Sequence, residues 1–209
     1  SARRVVLEVG AHSPWIDELR PWLEERARTG NDRFDEVWEG VLRPVVPPGV
    51  RHGSATHDLS VFLAPAAERR GGRLVLAPGL RAPGSGMWDF RVPALVCLSP
   101  ADEAGVREGW IEGGAAVVVE FRCPGDDTDA KVNFYAARGV HELVMLERDG
   151  SGLEILRLDS SKGHESTPDG DGWQAIEALG VRLQQRLVAG LAALYGIDDG
   201  TQSTPIRIL

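Results

Sequence analysis

Three hydrophobic rhythms run along the chain. The first is continuous: AAVVVEF (115–121) is apolar except at Glu120 and suits a central strand covered on both faces. The second alternates. RRVVLEVG (3–10), FDEVWEGVLRPVV (34–46), RLVLAP (73–78), DFRVPALVCL (89–98) and HELVML (141–146) read as strands, with either a strand pair or one bent strand about Gly40. VPPGV (46–50) carries turn chemistry, and RLVLAP with DFRVPALVCL fits an antiparallel hairpin across a Gly/Pro/Ser turn.

The third rhythm repeats every three to four residues. SPW (13–15) offers an N-cap serine, a first-turn proline and then the acids Asp17 and Glu18, predicting a helix to about residue 28 that kinks or restarts at Pro21. ATHDLSVFL (55–63) places Leu59, Phe62 and Leu63 on one helical face, and Pro65 limits its regular continuation. VREGW (106–110) reads as a short helix, and residues 130–138 as another that Gly139 ends. Residues 159–172, DSSKGHESTPDGDG, form a polar loop. Beyond it Ile176, Leu179, Leu183, Leu187, Leu191 and Leu194 recur at helical spacing, interrupted by Gly180 and Gly190. The order around the continuous run is strand, strand, strand, helix, strand, with one or two helices in front.

At 209 residues the chain is sized for one domain with appendages: an N-terminal strand and helix (1–30), a core (31–158), and a polar loop with a C-terminal extension packed on that core (159–209). The net charge of −8 excludes an unspecific basic binder of nucleic acid, since phosphate contact needs Lys and Arg. Residues 31–146 hold 12 basic and 16 acidic side chains, so any polyanion site is a local patch. No run of eighteen apolar residues exists to cross a membrane. Without a signal-like apolar stretch after Ser1, the expected setting is the cytoplasm. Cys97 and Cys123 are expected as reduced core thiols, and no CxxC or His/Cys cluster points to structural zinc.

The chemistry gathers at VVVEFRCPGDDTDAKVNFYAARGV (117–140), where a carboxylate, Glu120, falls inside an apolar strand and Lys131 follows across a polar loop. A buried charge needs a partner, so Glu120 is either part of a site or a structural carboxylate paired with Lys131 or Arg122.

This segment, with FDEVWEG, RH (51–52) and FRVPALV (90–96) in the same order, resembles the Uma-type restriction endonuclease family, a branch of the PD-(D/E)XK nucleases. The resemblance covers roughly residues 31–158. It implies an α/β restriction-endonuclease-like core: a mixed sheet of a three-strand meander, a crossover helix and a fourth strand, flanked by helices. It implies a site of an aspartate after RVP, a glutamate on the next strand and a lysine on the following helix. Glu120 matches the glutamate, Lys131 the lysine, Tyr135 and Gly139 the positions that follow, and Glu36 an acid of the opening motif. Ala94 stands where the aspartate belongs, and Cys123 where a small serine does. His52 matches a histidine after the proline-rich turn.

The chemistry implied is phosphodiester hydrolysis with Mg²⁺ or Mn²⁺, for which carboxylates form an open clamp and a lysine orients water or steadies the phosphoryl oxygens. Glu120 and Glu36 are the expected metal ligands. Asp89 is a weaker substitute for the missing aspartate, because alternation sets it opposite residue 94 unless a bulge intervenes. Arg122 is a candidate phosphate contact, or a strand-end cation paired with Asp126 or Asp127. His52 is a candidate phosphate or metal contact, or a helix-start residue. His12, His57, His141 and His164 are expected at the surface or as caps. Tyr135 and Trp110 are expected to pack, and DDTD (126–129) to be a solvated turn. The expected partner is nucleic acid, and a homodimer is plausible through the tail after residue 172. The alternative function is a catalytically lapsed module that binds nucleic acid or a protein. By the same likeness, GWQAIEALGVRL (172–183) forms two short strands instead of a helix.

Overall fold

The structure is a computed structural model that describes residues 7–8, 15–122, 127–147, 151–160, 162–198 and 202–208. Cys123, Asp126, His12 and the cap at Ser13 lie outside the described residues, as does most of the strand expected at 3–10.

Strand β1 (Leu7–Glu8) is followed by α1 (Trp15–Thr29), which runs unbroken through Pro21. The pair about Gly40 forms as β2 (Glu36–Trp38) and β3 (Val41–Arg43), antiparallel. Helix α2 (Val50–Arg69) is longer than expected and passes Pro65 by four residues. Then come β4 (Arg73–Leu76), β5 (Gly79–Arg81), β6 (Phe90–Arg91) and β7 (Leu95–Leu98). VREGW is not helical: a short 3-10 turn at Asp102–Gly105 leads into β8 (Val106–Arg107) and β9 (Trp110–Glu112). The continuous run is β10 (Val117–Arg122); α3 (Lys131–Ala136) follows, and then β11 (Glu142–Glu147). Strand β12 (Leu153–Leu158) comes next, and the polar loop contributes an edge strand, β13 (Gly163–Glu165). The chain ends in β14 (Gln174–Ile176), β15 (Val181–Val188), β16 (Leu191–Asp198) and β17 (Gln202–Ile208).

The central sheet has the order β13-β12-β11-β10-β7-β4. Its heart is the expected meander: β4 pairs antiparallel with β7, β7 with β10, and α3 carries the chain to β11, parallel to β10. The stretch between RLVLAP and LVCL departs from a simple hairpin, because β5 and β6 leave to join a second sheet, β1-β3-β2-β6-β5-β9-β8.

The C-terminal leucine series forms a third sheet, β14-β15-β16-β17, and not a helix. Val181 and Leu183 are buried and Arg182 and Gln184 less so, a period of two that overrides the coincidental spacing of leucines. Gly190, at φ +81° beside Ala189 at φ +51°, makes the two-residue turn that a right-handed hairpin needs and a helix would refuse. At Gly196 a Cβ would fall 2.3 Å from the Phe62 ring, so this sheet lies directly on α2.

Helix α2 therefore has apolar partners on two sides. Leu59, Leu63, Ala66 and Ala67 share one core with Leu95, Val117, Val119 and Phe121 of the central sheet and with Ile176, Val181, Leu183 and Leu194 of the terminal sheet. Each fully buried Leu or Val contributes about 1.5–3 kcal/mol. A second core on the other face of the central sheet gathers Val118, Phe134, Tyr135, Leu143 and Met145 under α3. Glu120 sits at the edge of that second core.

Candidate active site

Glu36 begins β2, Glu120 lies on the α3 face of β10, and Lys131 is the first residue of α3. Separated by up to 95 positions, they meet: Lys131 Nζ donates to Glu36 Oε1 at 2.8 Å and to Glu120 Oε1 at 2.9 Å. Tyr135, one turn along α3, donates its hydroxyl to the same Glu120 oxygen at 2.5 Å. Trp38, two residues from Glu36 on the same strand face, donates Nε1 to Glu36 Oε2 at 2.8 Å, and the Val92 backbone N–H reaches Glu36 Oε1 at 2.9 Å. Glu36, Glu120 and Lys131 are 2, 5 and 9% exposed, so this is a buried ionic cluster.

Burial pushes the Glu120 carboxyl above the ordinary glutamate range, and nearby Glu36 adds to this while Lys131 and Tyr135 oppose it. Burial works against the Lys131 ammonium, but the two carboxylates outweigh it and hold its pKa above the usual lysine value. Lys131 stays charged. Burial, reinforced by Glu120 and Glu36, raises the Tyr135 hydroxyl well beyond its ordinary value, so it remains a donor.

Hard carboxylate oxygens suit Mg²⁺ or Mn²⁺, which accept one or two carboxylates and complete their shells with water and substrate oxygens. Glu36 has both oxygens engaged, whereas among the described residues no donor reaches Oε2 of Glu120. No cluster of three or more His, Cys, Asp or Glu suited to a metal occurs among the described residues. Glu120 therefore keeps one oxygen without a donor, whereas Glu36 would have to give up a hydrogen bond to serve as a second ligand, and no third acid joins them among the described residues.

The remaining candidates are elsewhere. Ala94 packs with the α2-side core; its N–H donates to Val119 O while Val119 also pairs with Leu95, so two residues face one in a bulge that turns position 94 from Glu120. Asp89 binds Arg91, Arg138 and the Glu39 N–H, and none of the three cluster residues. His52 meets the Phe121 ring in a tilted contact, 4.7 Å between centroids, on the α2 face. Arg122 pairs with Asp129, Glu154 and Glu147, and not with Asp127, which binds Arg43 instead. Cys97 is a buried thiol whose pKa burial pushes up to about 12, as expected of a core residue.

Sequence reasoning missed four groups. Tyr135 was expected only to pack, yet it binds Glu120. Trp38 and the Val92 N–H hold Glu36, and the sole signal for Trp38 was its i+2 spacing from an acid. Arg91, two residues after Asp89, gave none. A groove of about 550 Å³ is lined by Val37, Phe90, Val92 and Trp110 among others and by none of Glu36, Glu120 and Lys131; Val37 alternates with Glu36 along β2 and faces away from the cluster.

The meander, crossover helix and parallel fourth strand, with an acid on the third strand and a lysine on the helix, define a restriction-endonuclease-like nuclease fold. The Uma2 family, described as "Putative restriction endonuclease", matches residues 17–189, and the chain belongs to it. Among solved structures, it is similar to a "putative nuclease belonging to DUF820" from Anabaena variabilis, at a TM-score of 0.51 and 14% identity over 65% of this chain and 78% of that one. Comparison with curated proteins gives no match. Among the described residues no helix is long and apolar enough to cross a membrane.

Proposed function

We propose that the chain hydrolyses phosphodiester bonds in nucleic acid with the help of Mg²⁺ or Mn²⁺, held by Glu120 and Glu36. The observation that carries this reading is the convergence of Glu36, Glu120 and Lys131 from two strands and a helix within 2.8–2.9 Å in a buried cluster. Such an ion neutralises phosphate charge and lowers the pKa of a bound water. Lys131, held charged, places an ammonium where it orients water and steadies negative oxygens. Tyr135 and Trp38 fix the two carboxylates, so little reorganisation accompanies reaction. The same proposal places the protein in the cytoplasm and includes a homodimer built on the tail after residue 172.

Incubation with labelled single- and double-stranded DNA and RNA tests it. Cleavage is expected with Mn²⁺ or Mg²⁺ and not with EDTA, and Glu120→Gln is expected to lower it by at least about a hundredfold. Intact substrates under every condition, with a folded protein, would leave a binding module in place of an enzyme.

A further inference from the structure

Arg91 is only 4% exposed and lies between Trp38 and Phe134, its guanidinium carbon 4.3 and 4.1 Å from their ring centroids. All three of its hydrogen bonds leave through Nη1: to Val37 O at 2.8 Å, Asp89 Oδ1 at 2.9 Å and Phe90 O at 3.1 Å. Its buried Nε has no partner. The Nε–Nη2 side of a guanidinium is the fork that meets two oxygens of a carboxylate or phosphate at once, and here no described acceptor meets it.

The stacking continues outward in both directions. Arg43 lies 4.0 Å over the Trp38 ring and Arg138 3.5 Å over Phe134, giving the order Arg43, Trp38, Arg91, Phe134, Arg138. Arg43 and Arg138 also bury an Nε without a partner. The outer two are tied to Asp127 and Asp89 respectively. This ladder borders the ionic cluster: Trp38 donates to Glu36, and burial lowers the Arg91 pKa while the Asp89 and Glu36 carboxylates oppose it.

A purely structural arginine at this depth would spend its donors, because an unpaired buried donor costs about 1–3 kcal/mol, and more when charged. Arg91 spends one side of its guanidinium on the fold and keeps the other. Flat packing between two rings removes the rotational freedom that binding would otherwise cost.

We propose that the Nε–Nη2 edge of Arg91 is an oxyanion-binding fork that takes two non-bridging oxygens of a phosphodiester beside the Glu36–Lys131–Glu120 cluster. The choice of a phosphodiester among oxyanions rests on the nuclease reading; the unpaired fork does not. Arg91 takes the role expected of Arg122, which three carboxylates surround.

The test is a metal-free titration of the whole protein with dimethyl phosphate, observed through the arginine Nε–H resonances by ¹H–¹⁵N NMR. The Arg91 resonance is expected to shift and saturate. Arg91→Lys, which keeps the charge but loses the fork, is expected to weaken binding at least about tenfold, whereas Arg122→Gln, at a cation already closed by carboxylates, leaves it in place. An unmoved Arg91 resonance, or wild-type affinity in folded Arg91→Lys, overturns the fork; the wild-type spectrum decides alone if that variant does not fold. Cleavage assays separate the two proposals. A saturable shift without cleavage under any metal retains the fork and removes the nuclease, while cleavage unchanged in Arg91→Lys does the reverse.

Discussion

Val117, Val119 and Phe121 leave one face of β10 and meet α2, whereas Val118 and Glu120 leave the other and meet α3. The α2 face is continuous apolar packing shared with the terminal sheet. The α3 face starts the same way at Val118 and then gives way to two carboxylates, an ammonium and a phenol, all buried. Hydrophobic side chains of similar size would stabilise that position as well or better, since a buried ion pair roughly breaks even against apolar packing. Stability therefore accounts for one face and leaves the other to be explained by chemistry, which is where perturbed carboxyl and lysine pKa values concentrate.

The sharpest break of this contrast is Lys131→Met. It leaves two buried carboxylates without their cation and should cost about 3–5 kcal/mol at pH 8 in urea unfolding. The loss should shrink toward pH 5, where Glu120, with its raised pKa, takes up a proton more readily. Leu63→Ala, on the apolar side and fully buried, should cost about 2–5 kcal/mol, equally at both pH values, and leave cleavage by the folded fraction intact. Tyr135→Phe removes a hydrogen bond that lowers the Glu120 pKa, so it should cost about 1.5–3 kcal/mol and move the rising limb of the pH–rate profile to higher pH. Arg122→Gln, at the end of the polar face but closed by acids, should change stability by about 1 kcal/mol or less and leave cleavage unaffected.

The same contrast explains what the sequence disclosed. β10, α3 and β11 were legible because an uninterrupted valine run, a polar loop and a glycine-ended helix admit few other arrangements. Glu120 and Lys131 were legible because one acid interrupts that run and the chain has only two lysines beside 21 arginines. For the terminal sheet the leucine spacing pointed to a helix, since Leu179, Leu183, Leu187, Leu191 and Leu194 satisfy a period near four by chance, whereas the alternative of two short strands in 172–183 is what forms, as β14 and the start of β15; the hairpin turn at Ala189–Gly190 depends on backbone geometry. Short strands β8 and β9 were missed for a related reason: two or three residues carry no period, and pairing of β9 with the distant β5 holds them. Arg91 was invisible because its place comes from contacts between β2, β6 and α3, which no local pattern encodes, and Trp38 left only its i+2 spacing from Glu36.

Folding favours the protonated form of Glu120, so its contribution to stability is complete below about pH 4 and is lost as pH rises through its folded pKa. Glu142, also raised by burial, adds to the slope in the same direction. A cation bound at Glu120 would oppose that loss. Thermal unfolding at pH 8, with and without Mn²⁺, in the wild type and in Glu120→Gln is therefore the most direct measurement. The account predicts that Mn²⁺ raises the wild-type Tm and leaves the variant's unchanged. An equal response in both proteins, or none in the wild type, would contradict it.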